Sequence, residues 1–269
     1  VVTGGRPVAL TIAGTDSGGG AGVAADLKTF DAHGAWGAAA VTAVTAQNTV
    51  GVQGWQGVSP DLVRTQIASV ARDIGVAATK TGMLGSLAVT EAVAQAVRDF
   101  GLQPLVVDPV MVSTSGDRLL EEQAIETMWL SLLPMATVVT PNLDEAGALA
   151  GFPVVDRATM EEAGRVLSGV GPRIVMITGG HLADGDRCPD LVVAHGELTW
   201  LDGPRIASRH THGSGCVLSA AICAEMARGM EARDACVAAK RFVERAIAAG
   251  VALGAGPGAV DPSWERGLA

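Results

Sequence analysis

"VALTIAGTDSGGGAGVAADLKTFDAHG", residues 8–34, reads as a short β-rich run (8–14), a glycine-rich loop and an amphipathic helix (21–34) closed by Gly34. The same alternation recurs along most of the chain. AAAVTAVTAQ (38–47) reads as a second strand, GVQGWQGV (51–58) as a ribbon, and SPDLVRTQIASVARDI (59–74) as a helix with a Ser cap and Pro at its first position. Strand and helix patterns then alternate through 76–83, 86–101, 104–111, 119–134, 137–142, 143–151 and 159–171 to RIVMITGG (173–180), the last parallel strand expected. LVVAHGELTWLD (191–202) departs from the pattern: two short strands meet at His195-Gly196, which predicts an antiparallel hairpin. Helices over 214–229 and about 231–250 follow. Strands alternating with helices predict an α/β fold, a mostly parallel sheet covered by helices on both faces.

Composition agrees. Hydrophobic residues make up 48% of the 269 positions, Gly numbers 35, Tyr is absent and aromatics are 3%, so the core must be aliphatic and alanine-rich. No Pro/Ser-rich linker or charge run divides the chain, which predicts a single domain over 1–269. The net charge of −9 argues against a nucleic-acid or anionic-membrane partner, since both need basic surface. Cys188, Cys216, Cys223 and Cys236 show no metal-ligand spacing, and neither a signal-like run in 1–7 nor a membrane-length apolar stretch is present, so a cytoplasmic protein is expected.

Polar and glycine-rich residues fall at the carboxyl ends of the expected strands: GTDSGGGAG after the first, QN at 47–48, TGM at 81–83, DPVM at 108–111, TPNLDEA at 140–146 and TGGH at 178–181. In open α/β sheets ligands bind beyond these ends. The loop after the first strand is neither GxxxxGK[ST] nor GxGxxG. "THGSGC" (211–216) precedes a helix that keeps Val217, Leu218, Ala221, Ile222, Glu225 and Met226 on one stripe. Glycines at a helix start let unpaired N–H groups approach an anion, and a thiol there feels the positive end of the helix dipole, which predicts a lowered pKa. The same residues also read as a tight turn followed by a small buried cysteine.

Together these motifs, with "TIAGTDSGGGAGVAADLKTF", "VTAVTAQNTVGV", "TKTGML", "VVDPVM", "TPNLDEA", "GGHL" and "THGSGC", make the chain resemble the hydroxymethylpyrimidine/phosphomethylpyrimidine kinases of the ribokinase-like superfamily, from about 8 to about 260. The resemblance implies a three-layer α/β/α sandwich with a mostly parallel central sheet and a small antiparallel hairpin. It further implies ATP and Mg²⁺ as cofactors, a small pyrimidine substrate and a homodimer.

By the same resemblance, backbone N–H groups of Gly213, Ser214, Gly215 and Cys216 bind the transferring phosphoryl group, and Cys216 takes the proton of the substrate hydroxyl. Gln47 addresses the aminopyrimidine edge, Asp26 its substituents, and Met83 and Val110 the ring faces. Asp108 and Glu145 organise Mg²⁺, while Asn142, Thr178 and Lys240 serve the nucleotide. The chain departs from the family at Ile177-Thr178-Gly179-Gly180-His181, where a lysine usually stands at 178, at Ala24 in place of a glutamine, and in its GAGPGAVDP tail. The implied reaction is phosphorylation of 4-amino-5-hydroxymethyl-2-methylpyrimidine and of its monophosphate. A cysteine-type pyridoxal kinase and a weakly catalytic pyrimidine-binding or regulatory protein are the alternatives.

Overall fold

The structure, a computed structural model, describes residues 5–112, 116, 119–182 and 184–264. Residues 1–4 of the opening segment and 183 of the loop over 182–190 lie outside the described residues. The strands are β1 (Val8–Ala13), β2 (Trp36–Val41), β3 (Ala43–Asn48), β4 (Gly51–Gly57), β5 (Ala78–Thr81), β6 (Leu105–Val107), β7 (Val138–Val139), β8 (Ile174–Ile177), β9 (Asp190–Ala194) and β10 (Glu197–Leu201). The helices are α1 (Gly22–Ala32), α2 (Pro60–Ser69), α3 (Leu87–Phe100), α4 (Glu122–Thr127), α5 (Leu143–Ala150), α6 (Arg157–Ser168), α7 (Ser214–Ala227) and α8 (Ala232–Ala248).

Eight strands form one sheet in the order β10-β9-β8-β7-β6-β5-β1-β2. All neighbours from β2 to β8 run parallel, and β9 and β10 close the edge antiparallel, so β8 is the last parallel strand, as the sequence predicts. The β9–β10 turn is built on His195 (φ 51°) and Gly196 (φ 80°), the two consecutive left-handed residues that a tight hairpin requires.

Period-two alternation sorts the strand side chains into two cores. Leu10, Ile12, Val107, Val139 and Val175 pack with α2 to α6, whereas Ala9, Ala78, Val106, Val138 and Met176 pack with α1, α7 and α8. Both faces are covered, which is why the central strands are largely apolar, with Thr11 on β1 and Thr79, Lys80 and Thr81 on β5 as buried polar exceptions.

Two expectations need correction. Residues 38–47 are not one strand: the chain bends at Thr42, whose hydroxyl donates to the Met83 carbonyl at 2.6 Å, and β3 leaves the main sheet to pair antiparallel with β4. The helix after Gly213 is not amphipathic. Every residue from Val217 to Met226 is buried, because α7 packs between the sheet, α1 and α8.

The sheet order reverses at β1. The chain passes from β1 to β2 on one side and later returns with β5 on the other. Loops leaving β1 and β5 therefore diverge there and open a crevice at the carboxyl ends of the strands.

Candidate active site

The loop after β1 is folded around one carboxylate. Asp16 accepts from the backbone N–H groups of Gly18 (2.8 Å), Gly20 (3.0 Å) and Ala21 (2.9 Å), and its Oδ2 lies 2.8 Å from His212 Nε2. Burial would raise the Asp16 pKa, but His212 and the backbone donors hold it below the ordinary value. This contact joins the first glycine-rich loop to the loop before α7. The two loops touch backbone to backbone: Gly213 sits at φ 82°, and a Cβ there would lie 1.9 Å from the Gly20 carbonyl oxygen.

Gly215 differs. A Cβ built on it meets nothing within 4 Å, and its φ is not left-handed, so nothing in the fold requires glycine at this position. No side chain caps α7, and no acidic residue stands in its first turn. Ser214 N–H is spent on the Thr211 carbonyl at 3.2 Å, which removes it from the expected anion-binding set, whereas the N–H groups of Gly215 and Cys216 have no backbone partner among the described residues. They remain available to an anion.

Behind Cys216 lies a buried charged cluster. Lys80, fully buried on β5, places Nζ 2.8 and 2.9 Å from the Asp26 carboxylate oxygens and 3.9 Å from Asp108 Oδ2. Thr11 also donates to Asp26, at 2.6 Å. Asp26 is therefore wholly buried with both oxygens engaged, and the expectation that it bonds ligand substituents gives way to one in which it anchors Lys80. Burial would lower the lysine's pKa, but Asp26, Cys216 and Asp108 outweigh it and keep the ammonium charged.

Cys216 itself corrects the sequence reading. It is half-buried, and burial, assisted by the charges of Asp26 and Asp108, pushes the thiol up to about 12 against the opposing pull of Lys80 and the Gly22 backbone N–H. The helix dipole does not win, because loss of solvent around the sulfur penalises the charged thiolate more than the partial charge of the helix end favours it.

Asp108 follows β6, before Pro109, and accepts from Ser219 Oγ at 2.8 Å; Ser219 lies one turn along α7 from Gly215, to whose carbonyl it also donates. Glu145 and Asn142 form a reciprocal capping box at the start of α5, with distances of 3.0 and 2.9 Å. Burial first, and the Asp108 charge second, push the Glu145 carboxyl up to about 8. Thr178 bridges to Asn142 at the end of β8, so these residues do converge. No group of three or more His, Cys, Asp and Glu among the described residues forms a self-sufficient metal site. A Mg²⁺ bound through one or two carboxylates, water and phosphate oxygens fits: Asp108 and Glu145 are both buried carboxylates, the charge of Asp108 raises the Glu145 pKa, and a cation would relieve that repulsion.

On the other side of the crevice, Met83 packs with Ala43 and Leu119, and with the partly buried Val52 and Val110, into a small apolar cluster. Gln47 holds its place on β3 through backbone bonds to Ser17, while its side-chain amide makes no hydrogen bond among the described residues. Lys240 is buried on α8, 2.9 Å from Asp190 Oδ2 and from the Cys188 carbonyl, so it is committed to an ion pair instead of standing free for a phosphate; Asp190 in turn accepts from Gly179 N–H in the loop after β8.

Sequence reasoning missed Asp16, Lys80, His212 and Ser219. Each lay inside or just beyond a quoted motif, but only the fold shows that they bridge separate loops.

A parallel α/β sheet whose switch-point crevice ends on an open helix N-terminus, with buried carboxylates alongside, defines a phosphotransferase of small molecules. The phosphomethylpyrimidine kinase family model matches residues 16–261, and the chain belongs to that family. It is 49% identical over 261 residues to the hydroxymethylpyrimidine/phosphomethylpyrimidine kinase of Streptomyces coelicolor, covering 97% of this chain and 96% of that one. Among solved structures, phosphomethylpyrimidine kinase from Clostridium difficile 630 matches with TM-score 0.79 and 36% identity, over 90% of this chain and all (100%) of that one. Pyridoxal kinase from Staphylococcus aureus in complex with AMP-PCP and pyridoxal matches with TM-score 0.90 and 33% identity, over 98% and 96%. The fold is therefore ribokinase-like.

Proposed function

We propose that the protein transfers the γ-phosphoryl group of ATP to 4-amino-5-hydroxymethyl-2-methylpyrimidine, and then to the resulting monophosphate. The observation that carries this reading is the pairing of free N–H groups at Gly215 and Cys216 with an apolar cluster, Met83 and Val110, bordered by the unspent amide of Gln47. An aromatic ring with a polar edge suits the cluster and the amide; a phosphoryl group suits the helix end.

In the first step the substrate hydroxyl oxygen bonds to the γ-phosphorus, the bond from that phosphorus to the oxygen of ADP breaks, and the hydroxyl proton goes to the Cys216 sulfur. That proton acceptor must be the thiolate. Lys80, Gly22 N–H and the α7 N-terminus favour the thiolate, and they act against burial. In the second step the acceptor is a phosphate, mostly dianionic at neutral pH, and no base is required. When bound, Mg²⁺ neutralises charge on the phosphates. Asp108 and Glu145 are the residues that would hold it, with Asn142 and Thr178 beside the nucleotide.

A homodimer is favoured by exposed apolar side chains, Trp36 on β2, Val44 and Trp55 on the β3–β4 ribbon and Leu62 on α2. Four free cysteines suit the cytoplasm, and no helix among the described residues is long and apolar enough to cross a membrane.

A pyridoxal kinase is the second reading, favoured by the higher TM-score of the Staphylococcus aureus pyridoxal kinase than of the Clostridium difficile enzyme. Steady-state assays on both pyrimidines and on pyridoxal decide between them. We expect the pyrimidines to have the higher kcat/KM, and Gln47→Leu to raise the pyrimidine KM while leaving that of ATP unchanged. Binding without ADP release would overturn both kinase readings.

A further inference from the structure

A second pocket lies at the opposite end of α7. It has a volume of about 560 Å³ and is walled by the ends of α1 and α7, one face of α8 and Trp264. The α7 axis separates it from Gly215 by about 20 Å, at 1.5 Å of rise per residue. None of the residues assigned to the proposed reaction reaches it.

Its chemistry is unlike the rest of a chain with net charge −9. Arg228, Arg241 and Arg245 line it, against the single carboxylate of Glu225. Arg228 donates to both Glu225 oxygens at 3.1 Å. Arg241 makes no hydrogen bond or ion pair among the described residues, and Arg245 is held only over the Trp264 ring, 5.2 Å from its centroid. Two guanidiniums one helical turn apart on α8 therefore keep their N–H donors free on the pocket side of the Phe242 and Trp264 rings.

Two buried polar atoms in the same wall are also unsatisfied. His33 Nδ1 lies 2.8 Å from Glu225 Oε1, which leaves Nε2 buried with no partner among the described residues, and Trp264 Nε1 is in the same condition. The His33 side chain is only 9% exposed. Buried donors and acceptors are normally satisfied, so two in one pocket wall mark a place where a partner is missing. Phe242 stands between them, 4.3 Å from the His33 ring and 6.1 Å from Trp264 by centroids.

We infer that this pocket, formed by Arg228, Arg241, Arg245, His33, Phe242 and Trp264, binds a small aromatic phosphate: the ring lies against Phe242 and Trp264, and the phosphate takes the guanidinium donors. Arginine forks match phosphate oxygens in two-point geometry, and the volume is that of a small-molecule site. The inference is independent of the catalytic reading, since it uses no residue of that site.

The test uses the full chain labelled with 5-fluorotryptophan, in which the Trp264 ¹⁹F resonance is assigned by its loss in Trp264→Phe. No nucleotide is added, since Trp264 lines this pocket and reports on it alone. Phenyl phosphate should shift the Trp264 resonance saturably, and inorganic phosphate should bind at least about tenfold more weakly because it lacks the ring. Arg241→Ala/Arg245→Ala should weaken phenyl phosphate at least about tenfold while kinase turnover is unchanged, since charge-assisted contacts are lost and both side chains are exposed. Absence of a saturable shift, an equal response to inorganic phosphate, or indifference to the double substitution would each overturn the inference.

Discussion

Lys80 Nζ lies 2.8 Å from Asp26 Oδ1, and neither side chain has any exposure to solvent. An ion pair this deep has a large desolvation cost, so its members are tolerable only together. Lys80→Met should destabilise the protein by about 3–5 kcal/mol in denaturant unfolding, because Asp26 and Asp108 are left without their cation. The double substitution Lys80→Met/Asp26→Leu should recover much of that loss. A single variant as stable as the wild type would mean that Asp26 is protonated without Lys80.

Gly213 and Gly215 make opposite predictions although one residue separates them. Gly213→Ala forces a left-handed φ on alanine and drives its Cβ against the Gly20 carbonyl, so folding should suffer. Gly215→Ala has open space, lies inside α7 and should stabilise by about 0.5–1 kcal/mol through helix propensity. Its methyl group would nonetheless stand where the phosphoryl group approaches. Thermal melts together with turnover separate the two effects: stability kept with activity lost supports the anion site, and full activity in Gly215→Ala would refute it.

For Cys216, the sign of the pH dependence follows from a thiol raised to about 12 in the free protein. Only the thiolate accepts a proton, so phosphorylation of the alcohol should accelerate as pH rises from neutral into the alkaline range. Cys216→Ala should remove that slope and cost about 10²–10⁴-fold on the alcohol. Phosphorylation of the monophosphate should be far less affected, since that acceptor carries no proton that must leave. Matched single-turnover measurements on the two substrates provide the check, and equal losses would assign Cys216 a geometric role.

Glu145 binds its proton more tightly in the folded chain than in the unfolded one, with a carboxyl moved from an ordinary 4.5 up to about 8. Its contribution to stability is therefore complete below pH 4.5 and is lost as pH rises towards about 8, at up to about 1.4 kcal/mol per pH unit. Glu145→Gln should abolish this part of the pH dependence. Added Mg²⁺ should raise the melting temperature of the wild type near pH 8 more than that of the variant. Identical Mg²⁺ responses would show that Glu145 does not hold the cation.

The sequence by itself determined the order and type of most elements, though not the bend at Thr42 that divides 38–47 between β2 and β3, because strand and helix periods are local and the caps that bound them are single residues: Ser59 at a helix start, Gly101 at an end, His195-Gly196 at a hairpin. It also determined which loops collect at one end of the sheet, since in a parallel sheet that follows from chain direction alone. Tertiary structure decided the rest. Whether Asp26 meets a ligand or Lys80, whether Lys240 meets a phosphate or Asp190, and whether the thiol of Cys216 gains more from a helix end than it loses by burial all depend on partners 50 or more residues away, or on solvent excluded by the whole fold. Such balances are set by distance and dielectric surroundings, and a motif carries neither.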